Sequence, residues 1–314
     1  MLTGGAAMIY TLTLNPAIDL FIDTPRMDEG VVNRTNSYDV QANGKGVNVS
    51  FILQRLHVPN QALGIGGGFT LDYISQQLTA AGITNDFVDS GGTTRINVFA
   101  HVQDGHREYK LVNPGPVVAS SARQQLVDKL ARLGHGDVLI ISGSFAQGIE
   151  PDFITSVGRM SAQQHFRLVI DTSYPTVLDT LQYHPLLIKP NNAELTSWFG
   201  LPADADTDQL VRLGHHLRDR GAQNVLISRG GAGAILIGEH DYTGSAPRVN
   251  VLNSAGAGDT MLGTFVAGLV NGKDAPDNLR MALAAGSDTA RSAWITDFQH
   301  VDELAEQVQI KQLS

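Results

Sequence analysis

The clearest chemical signal in the chain is a glycine-rich run that ends in a carboxylate, residues 253–260 with the sequence NSAGAGDT. The apolar segment MLGTFVAGLV follows it and predicts a helix. Glycines before a helix let backbone N–H groups converge at its positive end, which suits a phosphate or another anion. The carboxylate of Asp259 could accept a hydroxyl proton there while the amides stabilise a transferring phosphoryl group. The spacing alone leaves a second interpretation open, an ordinary turn with Asp259 as a helix cap.

A second glycine-rich segment, residues 42–49 (ANGKGVNV), precedes another predicted helix. It is not a Walker A phosphate loop, because no glycine lies five residues before Gly44 and neither Ser nor Thr follows Lys45. What remains is a flexible loop that presents one lysine and two asparagines, Asn43 and Asn48, at a helix start. That combination suits an anionic ligand with many hydroxyl groups, although a solvated turn would have the same sequence.

Polar residues also follow several apolar runs of strand length. The run ending at Ile188 is followed by Lys189, and then by Asn191 and Glu194 at the spacing of a capping box. At the carboxyl edge of a parallel sheet, where ligands bind, Asn191 and Glu194 could also organise Mg²⁺ through water molecules. Residues 228–233 (SRGGAG) follow another apolar run and resemble a loop that approaches phosphate.

Three shorter segments are unremarkable one at a time, but together they place a carboxylate, two hydroxyls and a guanidinium at strand ends. They are residues 15–19 (NPAID), residues 142–144 (SGS) and Arg95. Residues 64–68 (GIGGG) are interpreted as a tight turn beside the ligand. They lack the full GxGxxG spacing, and no strand-end acidic residue follows about twenty positions later. The chain contains no HExxH or other metal-ligand spacing.

These candidates lie between alternating runs of strand and helix length, which predicts an α/β fold with a mainly parallel central sheet and helices on both faces. The predicted strands are residues 8–14, 62–65, 137–141, 168–171, 186–188 and 224–228. The predicted helices are residues 46–56, 70–81, 120–133, 151–164, 191–199, 207–220, 258–269 and 275–294. We expect a single domain over residues 8–314, with residues 1–7 as an N-terminal extension or tag remnant.

Residues 20–40 and 93–112 break this series, because apolar and polar residues alternate there with the period of antiparallel strands. The second stretch contains Asp104-Gly105, a strong hairpin-turn signal. A small accessory sheet that forms a lid over the carboxyl edge of the central sheet would explain both stretches.

The composition excludes several classes of function. The chain has 314 residues, 42% of them hydrophobic, which is enough for a large buried core. It has no cysteine, so disulfides, cysteine zinc sites and thiol catalysis are excluded. With a net charge of −9 and 22 thinly spread Lys and Arg residues, no nucleic-acid partner is expected. No apolar stretch approaches the ~18 residues of a membrane span and no export signal is visible, so a cytoplasmic enzyme is expected.

Together these motifs resemble those of the ribokinase-like (PfkB-type) carbohydrate kinases, from about Met8 to the C-terminal helix and in the family's order. The most specific mark is GAGD at 256–259. The branch that contains 1-phosphofructokinase and tagatose-6-phosphate kinase is indicated by TLTLNPAID (11–19), GKGVNV (44–49), GGFT (67–70), TRINV (94–98), SGS (142–144) and LIKPNNAEL (187–195). The resemblance implies a ribokinase-like fold with a small β lid that often mediates homodimerisation, and the use of ATP and Mg²⁺.

The resemblance also implies roles for individual residues. Asp259 would deprotonate the acceptor hydroxyl, and the amides of Gly256, Ala257 and Gly258 would hold the transferring phosphoryl group. The expected substrate-binding residues are Asp19, Asn43, Gly44, Lys45, Asn48, Arg95, Ser142 and Ser144, of which Lys45, Arg95 and Ser144 would hold the sugar's phosphate. The expected nucleotide-binding residues are Lys189, Asn191, Glu194, Ser228, Gly230, Gly231, Gly233, Leu283 and Ser287.

Three positions depart from the family pattern. Asn43 stands where the family usually has Gly, and Ala255 replaces a larger apolar residue before GAGD. Residues 145–147 (FAQ) follow SGS where Leu-Pro-Pro is common. None of these departures removes a catalytic group, but all of them could shift the choice of substrate.

The sequence therefore predicts an ATP-dependent kinase that phosphorylates fructose 1-phosphate at its 6-hydroxyl to give fructose 1,6-bisphosphate. Tagatose 6-phosphate or another phosphosugar is the alternative substrate. A nicotinamide-dependent oxidoreductase would need GxGxxG in the first βα turn, where this chain has LNPAID. A non-catalytic sugar or nucleotide sensor would have no need of the carboxylate of Asp259.

Overall fold

The computed structural model describes residues 8–313, so the expected extension at residues 1–7 lies outside the described residues. The strands there are β1 (Ile9–Thr13), β2 (Ala17–Thr24), β3 (Ser37–Asn43), β4 (Asn60–Gly66), β5 (Thr84–Asp89), β6 (Arg95–Val102), β7 (Arg107–Leu111), β8 (Val138–Ser142), β9 (Arg167–Asp171), β10 (Leu187–Ile188), β11 (Val225–Ser228), β12 (Ala234–Ile237), β13 (Tyr242–Gly244) and β14 (Ile310–Gln312). The helices are α1 (Lys45–Arg55), α2 (Gly68–Ala80), α3 (Ser120–Leu130), α4 (Phe153–Gln164), α5 (Asn192–Trp198), α6 (Thr207–Asp219), α7 (Ala257–Val270), α8 (Ala275–Ala290) and α9 (Val301–Ala305). Between residues 8 and 313, no helix has the length and apolar character needed to cross a membrane.

The central sheet has ten strands in the order β14-β13-β12-β11-β10-β9-β8-β1-β4-β5. Every neighbouring pair from β5 across to β11 is parallel, whereas the pairs from β11 to β14 are antiparallel. The prediction of a mainly parallel sheet is confirmed. The antiparallel edge was not predicted, because β12, β13 and β14 have only four, three and three residues and leave little periodicity in the sequence.

Each face of the central sheet packs against its own hydrophobic core. In β8, Leu139 and Ile141 belong to a cluster with residues of α3, α4, α5 and α6. Val138 and Ile140, which alternate with them, belong to a second cluster with residues of α1, α7, α8 and α9. Since alternate side chains of a strand point to opposite faces, helices cover both faces of the sheet, as predicted.

The carboxyl ends of the central strands meet at one edge, and this alignment positions the site. In the parallel register Thr13 of β1 pairs with Ser142 of β8, and Ser142 pairs with Asp171 of β9. Lys189 follows directly after β10. The polar residues that end four neighbouring strands are therefore side by side.

The smaller sheet, which we call the lid, has the strand order β3-β2-β6-β7. β2 pairs antiparallel with β3, and β6 pairs antiparallel with β7 across a turn at Asp104-Gly105. β2 and β6, however, are parallel, so the expectation of antiparallel pairing is wrong at the centre of the lid. Both strands follow strands of the parallel central sheet, β1 and β5, and they therefore run outward in the same direction.

Several element boundaries differ from the sequence-based expectation. β2 begins at Ala17 and β3 continues to Asn43, so the lid strands extend beyond residues 20–40 toward the central sheet. The predicted tight turn at residues 64–68 is wrong for residues 64–66, which lie in β4. Helix α8 ends at Ala290 rather than at residue 294. Strand β5 and helix α9 were not predicted from the sequence.

Candidate active site

The expected base lies in the first turn of α7. Gly256 precedes the helix with a φ of 78°, a left-handed conformation that favours glycine, and a Cβ there would lie 2.8 Å from Ile295 Cγ2. Asp259 is the third residue of the helix and is only 5% exposed. The glycine therefore turns the chain so that a buried carboxylate lies at the positive end of a helix.

Two side chains of α1 contact that carboxylate. Asn48 Nδ2 donates to Asp259 Oδ2 at 2.9 Å, and Lys45 Nζ lies 3.4 Å from Asp259 Oδ1. Gly44 places both of them, because it starts the helix with a φ of 129° and a Cβ there would lie 2.8 Å from Thr13 Cγ2. The two glycine-rich segments, which are more than 200 residues apart in the sequence, thus meet at one carboxylate.

The backbone amides before and within the first turn of α7 differ in their bonding. The N–H of Ala257 donates to the carbonyl of Ser254 at 3.3 Å. Among the described residues, the N–H groups of Gly256, Gly258 and Asp259 have no acceptor. Of the three amides expected to bind a phosphoryl group, those of Gly256 and Gly258 are therefore available and that of Ala257 is partly engaged.

A buried aspartate that was not predicted from the sequence joins two lysines beside the base. Asp171, at the end of β9, lies 3.1 Å from Lys45 Nζ through Oδ2 and 3.1 Å from Lys189 Nζ through Oδ1. Burial by itself would raise the pKa of Asp171, but the two lysines hold that pKa below its usual range. Burial alone would lower the pKa of Lys45, but Asp171 and Asp259 hold it above the usual range. We call Lys45, Asp171 and Lys189 the charged cluster.

On the lid side of the site, Asp19 of β2 accepts hydrogen bonds from two side-chain amides. Asn97 Nδ2 donates to Oδ1 at 2.8 Å, and Asn43 Nδ2 donates to Oδ2 at 2.5 Å. Burial raises the pKa of Asp19, against the opposing effects of the Asn97 hydrogen bond, the positive charge of Arg95 and the Asn43 hydrogen bond. We call Asp19, Asn43 and Asn97 the amide cluster.

A cavity of about 260 Å³ opens beside Lys45 and Arg95. It is lined by Thr13, Asn15, Lys45, Arg95, Ser142, Gly143, Ser144, Thr172, Ser173 and Glu194. The hydroxyls of Thr13, Ser142 and Thr172 are buried and have no hydrogen-bond partner among residues 8–313. Unpaired buried hydroxyls are costly, so a ligand or water with polar groups is expected to satisfy them.

Arg95 is fixed in the wall of the cavity by backbone carbonyls. Its Nη1 donates to the carbonyl of Asn113 at 3.0 Å, and its Nη2 donates to the carbonyl of Asn15 at 3.1 Å. Burial lowers the pKa of this guanidinium below its usual range, against the opposing charge of Asp19. An arginine held in this way presents a positive charge to the cavity at a defined position.

The predicted capping box is present at the start of α5. Glu194 N donates to Asn191 Oδ1 at 2.8 Å, and Asn191 N donates to Glu194 Oε2 at 2.8 Å. Glu194 is the only acidic residue among those described that line the cavity, and residues 8–313 contain no cluster of three potential His, Asp or Glu metal ligands. One carboxylate beside a polar cavity fits a Mg²⁺ ion held mainly by phosphate oxygens and water.

The other expected nucleotide-binding residues lie outside this cavity. Residues 228–233 form a tight turn between the antiparallel strands β11 and β12, and Gly230 and Gly231 are exposed there. Ser287, on α8, is half-buried. Leu283 on the same helix is 1% exposed, and a Cβ on Gly244 would clash with its Cδ1, so in this structure its side chain presents no surface to a nucleotide.

Sequence reasoning missed several polar residues of the site. Asp171 ends a strand that was predicted, and Asn97 lies inside the TRINV motif. Asn15 donates to Ser144 Oγ at 3.3 Å, and Thr172 follows Asp171 at the cavity. The rule that ligands bind at the carboxyl ends of parallel strands would have selected Asp171 and Thr172, whereas Asn97 had no local signal.

A helix N-terminus with free amides, a buried carboxylate beside it and two lysines at the same sheet edge define an enzyme that transfers a phosphoryl group to a hydroxyl. The chain belongs to the pfkB family of carbohydrate kinases, whose family model matches residues 12–293. It is therefore an ATP-dependent phosphotransferase with an alcohol acceptor, and the ribokinase-like fold expected from the sequence is confirmed.

Named relatives of the chain are sugar-phosphate kinases. D-tagatose-1-phosphate kinase from Bacillus licheniformis is 42% identical over 98% of this chain and 100% of its own length. 1-Phosphofructokinase from Borreliella burgdorferi is 35% identical over 98% of this chain and 99% of its own length. The crystal structure of phosphofructokinase-2 from Escherichia coli in complex with fructose-6-phosphate is 25% identical and superposes with a TM-score of 0.86 over 96% of this chain and 99% of that one.

Proposed function

We propose that this chain transfers the γ-phosphoryl group of ATP to the 6-hydroxyl of a ketohexose 1-phosphate, with fructose 1-phosphate giving fructose 1,6-bisphosphate. The observation that carries the proposal is the position of Lys45, whose Nζ lies 3.4 Å from the carboxylate of Asp259 while the side chain lines the cavity that contains Arg95. One lysine thereby links the base to a pocket with two positive charges. Such a pocket suits a phosphate-bearing acceptor, because a dianion that leaves water needs cationic partners.

In the proposed reaction Asp259 accepts the proton of the acceptor hydroxyl. The free N–H groups of Gly256 and Gly258 stabilise the charge on the transferring phosphoryl group, and the amide of Ala257 joins them if its contact to Ser254 opens. Removal of one hydroxyl proton and stabilisation of the phosphoryl charge are the two tasks that this chemistry requires.

The sugar would lie between the amide cluster and the cavity. Asp19 and the free side-chain oxygen of Asn48 would accept hydrogen bonds from the sugar hydroxyls, with Gly44, Lys45 and Asn43 around them. The phosphate of the sugar would be held by Lys45, Arg95, Ser142 and Ser144. The unpaired hydroxyls of the cavity support this placement, because they offer hydrogen bonds that no described protein group takes up.

The nucleotide phosphates would lie near Lys189, Asn191 and Glu194, the last of which also lines the cavity. Bound Mg²⁺ would supply neutralising charge to those phosphates, with Glu194 and Asn191 holding its water molecules. The turn of Ser228, Gly230, Gly231 and Gly233 and the half-buried Ser287 would border the nucleoside. Leu283 would need to move out of the core to contact adenine, because it is buried in this structure.

Tagatose 1-phosphate is the second candidate substrate, since the relative from Bacillus licheniformis that carries that name is 42% identical to this chain. Tagatose 6-phosphate, the alternative from the sequence, would need the acceptor hydroxyl at the other end of the sugar. The family match removes the support for a nicotinamide-dependent oxidoreductase. A non-catalytic sensor would keep the fold, so only turnover separates it from a kinase.

A coupled assay for ADP release tests the proposal with fructose 1-phosphate, tagatose 1-phosphate, tagatose 6-phosphate and free fructose at equal concentrations. We expect one of the two 1-phosphates to have the highest kcat/KM and free fructose to be a very poor substrate. Equal use of fructose and fructose 1-phosphate would contradict the role of the phosphate-binding cations. Turnover of tagatose 6-phosphate alone would move the enzyme to a different substrate while keeping the phosphotransfer.

We also propose that the lid joins two copies of the chain. Tyr38, Ile22, Ala100 and Tyr109 form one row across the four strands, and Tyr38 and Tyr109 are 73% and 40% exposed. Leu111, two residues further along β7, is 59% exposed. Apolar side chains in one row favour a protein contact. Light scattering after size exclusion should give a dimer mass for the wild type and a monomer mass for Tyr38→Asp, and a wild-type monomer would contradict the proposal.

A further inference from the structure

The side chain of Asn43 lies between the carboxylate of Asp19 and the amide of Asn48, which contacts the carboxylate of Asp259. Asn43 Nδ2 donates to Asp19 Oδ2 at 2.5 Å, and Asn43 Oδ1 accepts from Asn48 Nδ2 at 2.9 Å. Asn48 Nδ2 donates in turn to Asp259 Oδ2 at 2.9 Å. A continuous row of hydrogen bonds therefore connects the lid strand β2 with helix α7.

Each carboxamide in this row has one orientation that satisfies its neighbours. An ionised carboxylate only accepts hydrogen bonds, so Asp19 requires the NH₂ group of Asn43 to face it. The oxygen of Asn43 then faces Asn48 and also accepts from the N–H of Gly44 at 2.6 Å. The NH₂ group of Asn48 must consequently face Asn43, and its second hydrogen reaches Asp259. If the Asn48 amide were reversed, its oxygen would face two acceptors.

Burial makes the row sensitive to the loss of any member. Asp19, Asn48 and Asp259 are 4%, 2% and 5% exposed. At such positions a missing hydrogen bond leaves a polar group unpaired, because bulk water cannot easily replace the lost partner. The oxygen of Asn48 already lacks a partner among the described residues and is available to a ligand.

We propose that Asn43 is a positioning residue of the phosphotransfer reaction. Asn43 is itself held by Asp19, and it keeps the NH₂ group of Asn48 directed at Asp259. The sugar-binding side of the site thereby sets the geometry of the base. The proposal rests on the function proposed above for Asp259 and Asp19. Asn43 acts through Asn48 and does not need to touch the reacting atoms.

The first test compares Asn43→Gly and Asn43→Ala with the wild type. We expect kcat with the phosphosugar to fall about tenfold or more, since the Asn48 amide is no longer held. The KM for ATP should stay within about twofold, because Asn43 has no part in nucleotide binding. The matched control is Asn36→Ala, which removes an exposed asparagine just before β3 that donates to Asp23 Oδ2 at 2.7 Å and should leave kcat unchanged.

A second variant, Asn43→Asp, separates positioning from general damage to the fold. The new carboxylate can still accept from Gly44 and Asn48, but it meets Asp19 with a second negative charge. Two adjacent carboxylates share one proton at low pH and repel each other once both ionise. The nearby cations are Arg95, beside Asp19, and Lys45, beside Asp259. Both are the same in this variant as in the wild type. We expect activity relative to the wild type to be highest near pH 5.5 and to fall toward pH 8, whereas Asn43→Gly is impaired at both.

The outcomes separate this inference from the function on which it rests. Wild-type turnover of the phosphosugars is measured first, and no turnover would overturn the proposed function together with this inference. If the wild type turns over and Asn43→Gly and Asn43→Ala keep kcat within about twofold, only the positioning role fails. A loss confined to the KM for the sugar would also overturn it, because Asn43 would then be a simple substrate contact. The positioning role is also overturned if the activity of Asn43→Asp has the same pH profile as that of the wild type.

Discussion

The charged cluster and the amide cluster lie on two sides of the same base but are built from different chemistry. In the charged cluster a buried aspartate is held between Lys45 and Lys189 by full charges at 3.1 Å. In the amide cluster a buried aspartate is held by the neutral side chains of Asn43 and Asn97. The pKa of Asp171 is lowered, whereas that of Asp19 is raised.

The difference shows how one site handles two kinds of ligand group. Phosphate oxyanions need positive charge, and in the proposed reaction the two lysines would provide it, with Asp171 balancing part of their charge before ATP binds. Sugar hydroxyls need directional donors and acceptors, and amides provide both without strong charge. We therefore expect damage to the charged cluster to affect phosphotransfer. Damage to the amide cluster should affect recognition of the sugar and, at Asn43, also the orientation of the Asn48 amide at the base.

The largest effect is expected where both clusters meet, at the base. Asp259→Asn removes the proton acceptor but leaves the helix N-terminus and the lysines in place. Removal of a general base typically costs about 10²–10⁴-fold in rate, so kcat should fall by that range while both ligands still bind. Titration calorimetry with ATP and with the phosphosugar measures binding, and a coupled assay measures kcat. A variant that turned over near the wild-type rate would contradict the assignment.

The next effect concerns the stability of the charged cluster. Asp171→Asn leaves Lys189 buried without its counter-charge, and breaking a buried pair on one side costs about 3 kcal/mol of unfolding free energy. Because the pKa of Asp171 is depressed, the wild type has this contribution above the ordinary pKa of 3.8 and loses it as pH falls below that value. Urea unfolding at pH 7 checks the loss. Equal stabilities of variant and wild type would show that the lysines do not depend on Asp171.

Arg95 provides a test of the phosphate end of the sugar. Arg95→Ala should raise the KM for the phosphosugar about tenfold to a hundredfold with little change for ATP, since the lost contact is a charge-assisted hydrogen bond to the sugar's phosphate. Arg107→Ala, which removes an exposed lid arginine, is the matched control and should change neither constant. An effect limited to the KM for ATP would place Arg95 on the nucleotide side instead.

The smallest effect is a change in the dynamics of the lid. If the lid closes on the sugar, addition of the phosphosugar should slow amide hydrogen exchange in β2, β3, β6 and β7. Closure of that kind excludes water, which otherwise competes for the phosphoryl group. Mass spectrometry of exchanged peptides resolves these strands from the central sheet. Unchanged exchange in the lid at saturating sugar would mean that it is a fixed wall.

The sequence predicted those parts of the site that carry local spacing. The glycines around Asp259 and Lys45 indicate helix starts, so the base, its lysine and Asn48 could all be selected from the amino-acid sequence. The pairing of Asp171 with two lysines was not predictable in this way, because the three residues come from β9, α1 and the end of β10. The pairing of β9 with β10 brings Asp171 and Lys189 together, and the start of α1 adds Lys45.

The fold shows the same division between local and non-local information. Strands and helices with clear periodicity, such as β8 and α4, lie within a few residues of their predicted ranges. The parallel pairing of β2 with β6 depends on where both strands leave the central sheet, which no local pattern records. The short strands β12 to β14 are fixed by their neighbours and by the core beneath them, and so they left no sequence signal.

The position of the transferred phosphate tests the central claim most directly. The wild type is incubated with ATP, Mg²⁺ and the preferred ketohexose 1-phosphate, and the product is analysed by ³¹P and ¹³C NMR. We expect a second phosphomonoester whose phosphorus couples to carbon 6 of the sugar, in amounts equal to the ADP formed. ADP without a new sugar phosphate, or a phosphate on any other carbon, would contradict the proposed reaction.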